Sequence, residues 1–132
     1  MTNYEQKLRI TLKINAAFSL LCGIDFIVFN GFLADKIGVD SKQALIFIGV
    51  GLIVFAGLVF FNAFRKNIDA KSIKSIIVQD SLWVIASAIV LTFKAFDLSA
   101  LGYELILLIA LIVGTFAIFQ MHYLKKSVKQ NI

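Results

Sequence analysis

The sequence predicts an all-α fold, an integral membrane four-transmembrane-helix bundle with both termini cytoplasmic. Three observations predict it. First, the 132-residue chain is 60% hydrophobic, whereas soluble domains are roughly 45–50% apolar. Second, the excess collects in four blocks, 14–33, 44–64, 76–96 and 103–124. Each block holds about 20 residues, which at 1.5 Å rise per residue spans the ~30 Å hydrocarbon core. Third, the basic residues flank the blocks. With the amino terminus inside, ten of the 13 fall on inner segments (Lys7, Arg9, Lys13; Arg65, Lys66, Lys71, Lys74; Lys125, Lys126, Lys129) and three outside (Lys36, Lys42, Lys94). Basic residues favour the cytoplasmic side. The short alternating segments of a membrane barrel are missing. Residues 1–132 therefore read as a single transmembrane domain.

The first block follows only three basic residues and lacks a small-residue cleavage pattern, so it is expected as a retained helix and not a removed signal peptide. Gly38, in the outer turn "FLADKIGVDS", suits its stop. Asp40 or Ser41 can cap the second helix. There, Gly49, Ala56 and Ala63 recur at heptad spacing, as small residues do where membrane helices approach closely. A basic link, "FRKN", leads to Asp69, a cap for the third helix. Asp80, Ser87 and Lys94 share a face of that helix, with Trp83 and Leu91 beside it. After the tight outer connection "DLSALG", the fourth helix aligns Glu104, Leu111, Thr115, Ile118 and His122, and carries Ala110, Gly114 and Ala117. Lys94 and Glu104 fall near the outer surface, where they pair or snorkel. The chain has no proline, the commonest kink device, so the helices are expected to run fairly straight.

Composition excludes several chemistries. A single cysteine, Cys22, rules out an intramolecular disulfide and two-cysteine redox motifs. A single histidine, His122, rules out an intramolecular bis-histidine haem and gives a weak metal signal. There is no phosphate-binding glycine loop, serine-nucleophile elbow or metalloprotease helix motif. No cofactor is called for. The net charge of +5 belongs to the membrane flanks and not to a nucleic-acid site. The stretches "KLRITLK" and "KKSVK" are expected to meet anionic headgroups.

The candidate site residues are Asp25, Asp80, Trp83, Asn15, Asn30 and Phe29. In the first block, at 100° per residue, Asn15, Phe18, Ser19, Cys22, Asp25, Phe26, Phe29 and Asn30 fall within an arc of about 140°. The opposite side has no polar side chain. The polar arc should turn into the bundle, taking Asp25 away from lipid. An acid at the centre of a membrane helix costs about 2.5–3.5 kcal/mol to insert. Two readings of Asp25 stay open: a carboxylate facing a cavity and responding to protons or cations, or one tied to Asn30, Thr92 or Thr115. Asp80 lies one to two turns inside the cytoplasmic end, level with Asn15, Asn62, Gln120 and His122. Those groups form either a polar site or a satisfied network between helices. Trp83 packs in the core or lines a cavity.

At "QDSLWVIASAIVL", residues 79–91, with the helix "IGVGLIVFAG" and the link "FRKN", the chain resembles small bacterial four-helix inner-membrane proteins. The resemblance implies a four-helix bundle in the bacterial cytoplasmic (inner) membrane and implies no activity. The chain is also similar to small multidrug resistance transporters in having four short helices and an acid, Asp25, in the first. It departs from them in using Asp for Glu, in the residues around that acid, and in its strong orientation bias.

The leading expectation is a non-enzymatic membrane protein that binds an apolar or amphiphilic ligand, or a partner helix, in its bundle interior. Phe18, Phe26, Phe29, Trp83 and Phe116 offer aromatic contacts, and Asp25 and Asp80 polar anchors. The alternative is a small proton-coupled transporter of cationic or amphiphilic compounds using Asp25. An enzyme, with groups converging near Asp80 and His122, comes third. Expected partners are the lipid bilayer, a lipid or small amphiphile, and a second copy in a homodimer.

Overall fold

The structure is a computed structural model that describes residues 3–94 and 97–130, with side chains as far as 129. Helices α1 (Asn3–Val28), α2 (Asn30–Ile37), α3 (Lys42–Phe64), α4 (Ala70–Phe93) and α5 (Ala100–Gln130) make up the described chain, with no strand among those residues. Four of the five are long and apolar enough to cross a membrane: α1, α3, α4 and Ala100–Lys129 of α5. Their outward faces are apolar, with Phe47, Phe61, Phe93 and Ile118 exposed. A contiguous apolar exterior of this kind suits contact with lipid and not with water.

The helices outrun the apolar blocks at the end where the termini lie. α1 begins about three turns before residue 14, and α5 continues past residue 124. The reason is amphipathicity. Leu8 and Leu12 bury completely, while Lys7 and Lys13 stay outside. They join Val59, Ala63, Ile73, Ile76 and Leu124 in a packed core. "KLRITLK" is thus half core and half exposed. The expected end of the third block at residues 95–96 lies outside the described residues.

Arg9 is the polar member of this packed end. Its guanidinium donates to the backbone oxygens of Ala63 (2.9 Å), Arg65 (2.6 Å) and Lys66 (3.2 Å), closing the carbonyl end of α3. Positive charge there also complements the helix dipole. Glu5 pairs with it at 3.5 Å. Arg9→Met should lower the free energy of unfolding by about 1.5–3 kcal/mol, the range for hydrogen bonds to a charged group. Sodium dodecyl sulfate titration of refoldable protein in mixed micelles checks this; an unchanged midpoint would show that α3 ends without help.

Caps set the other boundaries. The Ser41 hydroxyl accepts from Ala44 N–H at 3.2 Å and starts α3. Asp69 starts α4 by accepting from Lys71 N–H and the Ser72 hydroxyl. The Ser72 bond above all holds the Asp69 carboxyl below the usual carboxylate range. Gly38 ends α2 at φ +89°, a conformation that needs glycine. Ser99 ties the far end together. Its hydroxyl accepts from Gly102 N–H at 3.0 Å, capping α5. The same hydroxyl donates to the Lys36 and Ile37 oxygens at the end of α2.

One expectation fails at residue 29. The first helix is not straight: it breaks at Phe29 without proline. Asn30 Nδ2 donates to the Ile27 oxygen at 2.7 Å, holding the carbonyl at the break with a side chain. A polar side chain inserted into the helix ladder is a recognised source of kinks.

α1 is the central helix. It packs chiefly on α3 and then on α5, and α5 packs on α4, whereas α3 and α4 scarcely touch although a five-residue link, 65–69, joins them. The α1–α3 seam is close. A Cβ on Gly23 would lie 2.8 Å from the Gly49 oxygen, and one on Gly49 2.8 Å from the Gly23 oxygen. Gly49, Ala56 and Ala63 all bury on this side of α3. The bundle is packed toward the termini and open toward α2.

Candidate functional site

The opening is a cavity of about 600 Å³ among α1, α3, α4 and α5, within the 300–1,000 Å³ typical of small-molecule sites. Phe18 and Phe26 of α1, Ile48 and Leu52 of α3, and Val90 of α4 give it apolar walls. Gly38, Val39, Asp40 and Leu98 line its mouth at the far end. Asp80 forms its floor.

The floor is a three-helix hydrogen-bonded cluster. Asn15 Nδ2 donates to Asp80 Oδ2 at 2.9 Å and to Gln120 Oε1 at 2.9 Å. Gln120 Nε2 donates to Asp80 Oδ2 at 3.0 Å. Ser19 Oγ reaches Asn15 Oδ1 at 3.4 Å, a long contact. Asn15 and Gln120 are completely buried and Asp80 is 1% exposed. Both amides reach the same carboxylate oxygen. Oδ1 has no protein donor among the described residues, on a side chain that lines the cavity. Among the described residues the fully enclosed polar atoms left without a partner are Arg9 Nε and Asn62 Oδ1; Asp80 Oδ1 is not one of them and borders the open space of the cavity.

Asn62 and His122, level with Asp80 in the sequence, do not join. Asn62 Nδ2 turns back to the Leu58 oxygen on its own helix. His122 is exposed and stands edge-on to Tyr4 at 6.4 Å. Trp83, one turn above Asp80, lines the cavity and is 41% exposed. Phe18 lines the wall and meets Phe116 edge-on at 5.8 Å.

Three sequence candidates lie elsewhere. Asp25 is exposed on the outside of the bundle, and Phe29 is 54% exposed. Asn30 is committed to the helix break. The expectation that Asp25 turns inward is therefore corrected. The buried side of α1 runs through Leu8, Leu12, Asn15, Ala16, Ser19 and Gly23. Its centre is about 60° around from Asn15, and Asp25 falls some 140° from that centre. The polar arc is wider than the buried side of α1, and Asp25 stands at its edge. Asp25 is also shallower than its place in the apolar run suggests. Gly23 faces Gly49, so Asp25 lies level with Phe47, about 7–8 Å from Lys42 at the head of α3. An acid near a helix end costs less than one at the centre.

Gln120 is named in the sequence reading as a partner of Asp80, whereas Gly23 and Ser99 are not singled out there. Gln120 shared the predicted depth of Asp80, which was the available signal. Gly23 carried no signal without its partner, and Ser99 only the short connection around it. Among the described residues no three histidine, cysteine, aspartate or glutamate side chains group as metal ligands. Comparison with family models, with curated proteins and with solved structures finds no match to the chain.

Proposed function

We propose that the protein is a multi-pass protein of the bacterial cytoplasmic membrane, termini inside, that binds an apolar or amphiphilic small molecule in its interior cavity and is not an enzyme. The observation that carries this reading is the largely apolar cavity with a buried carboxylate at its floor, one oxygen of which has no protein donor among the described residues. Apolar walls with a few converging polar groups are the usual form of a small-molecule site. The four apolar helices and the ten-to-three division of basic residues support the location and orientation. Transport through Asp25 gains no support, because that side chain faces away from the cavity.

The test is native mass spectrometry of protein released from nanodiscs. Wild type should retain a bound hydrophobic adduct. Ile48→Trp, which places an indole in the cavity wall, should lose it while keeping the helical circular dichroism. Equal adducts on both proteins, or none on wild type, would sink the reading.

A further inference from the structure

We infer that the ligand is a linear alkyl chain of about twelve carbons ending in a hydrogen-bond donor, a hydroxyl or an ammonium, with that end seated on Asp80. This rests on the proposed binding function and adds the ligand's length, end group and direction.

The length follows from the walls. Along α4 the cavity runs from Asp80 at the floor to Val90 near the mouth, ten residues and about 15 Å of helix rise. A zigzag chain of ~1.5 Å carbon–carbon bonds advances roughly 1.25 Å per carbon, so about twelve carbons fill that depth. The walls between are almost wholly apolar, as the body of such a chain requires.

The end group follows from charge and valence. The ionisable side chains lining the cavity, apart from the Cys22 thiol, are Asp80 at the floor and Asp40 at the mouth; no lysine, arginine or histidine joins them among the described residues. A carboxylate- or phosphate-ended chain would bring its negative charge into a site without a compensating cation among the described residues, at a prohibitive desolvation cost. A donor satisfies Oδ1, the oxygen that Asn15 and Gln120 leave free. The two amides fix the carboxylate so that Oδ1 needs no reorganisation to accept.

The direction makes Trp83 a reporter. It is the only tryptophan in the chain and lies three residues past Asp80, about 4.5 Å along the axis. A chain with its polar end on Asp80 places its first few carbons against the indole. A chain seated the other way places its tail there.

Trp83 fluorescence, read with the whole protein in phosphatidylcholine nanodiscs, tests all three parts. 2,3-Dibromododecan-1-ol should give saturable quenching beyond the linear background of lipid partitioning, and 11,12-dibromododecan-1-ol should quench several-fold less. Unlabelled dodecan-1-ol, dodecylamine or both should displace the probe at concentrations at least tenfold below dodecanoate and dodecane. Eight- and sixteen-carbon alcohols should compete less well. If only the alcohol competes, the end group is the neutral donor; if only the amine, it is the ammonium; either result upholds the inference. Asp80→Asn should abolish the preference for donor-ended chains and leave dodecane competition unchanged.

Equal competition by dodecanoate, or stronger quenching from the tail-labelled alcohol, overturns the inference and leaves ligand binding itself standing. Saturable quenching by none of the chains, together with loss of the native adduct, overturns both. The selectivity series uses wild type alone, so it does not depend on how the variant folds.

Discussion

Gly49→Leu is expected to cost about 3 kcal/mol, the upper part of the range for forcing extra volume into a packed seam. The size comes from what blocks the new atoms. A Cβ at position 49 meets the backbone oxygen of Gly23 at 2.8 Å and the Ile27 Cγ1 at 2.9 Å. A backbone oxygen has no other rotamer to adopt, so α1 must move away from α3. Movement of α1 also disturbs Asn15 and the cavity wall at Phe26. Gly23→Ala and Gly49→Ala should each destabilise. The double variant should cost less than their sum, because the first change has already parted the helices. The chain supplies its own control. Gly51 and Gly57 have nothing within 4 Å of a built Cβ, so alanine there should stabilise by about 0.5–1 kcal/mol through helix propensity. Unfolding titrations in mixed micelles measure all six variants. Equal effects at positions 49 and 51 would refute the close seam.

The second large effect belongs to Asp80→Ala, expected to cost about 2–3 kcal/mol. Two bonds between membrane helices disappear, each worth about 0.6–1.7 kcal/mol. The Gln120 amide then stays buried without this acceptor, and the Asn15 amide keeps only Gln120 Oε1. The diagnostic comparison is with the triple replacement Asn15→Leu, Asp80→Leu, Gln120→Leu. Removing all the partners together leaves no orphan, so the triple variant should be no less stable than Asp80→Ala. Additive losses across the three sites would show that the cluster is three separate contacts and not a network.

The fold was legible because hydrocarbon thickness dictates segment length. Four runs near 20 residues admit few other readings. Boundaries at the terminal end were not legible by the same rule: Leu8, Leu12 and Leu124 sit among lysines, and only a helical period separates their buried face from the charged one. Caps at Ser41 and Asp69 and the stop at Gly38 could be read locally, since each depends on its own few residues. Asp80 could be placed by depth, together with Asn15 and Gln120. Asp25 could not. Its inward or outward direction depends on which side of α1 meets α3, and that side is set by Gly23 and Gly49, residues from separate helices. A polar arc marks the buried side only when the polar groups serve the interior. Asn15 and Ser19 do; Asp25 and Asn30 serve the exterior and the helix break.

The cluster at Asp80 also dates its own completion during biogenesis. Its members come from the first, third and fourth spans, and α1 takes its main neighbours from α3 and α5, not from a sequential hairpin. Gln120 follows Asp80 by forty residues, so at ~5–20 residues per second it emerges from the ribosome about 2–8 s later. During that interval Asp80 has Asn15 as its amide donor and no second one. The nascent chain therefore holds its most buried acid half-satisfied until the last span arrives.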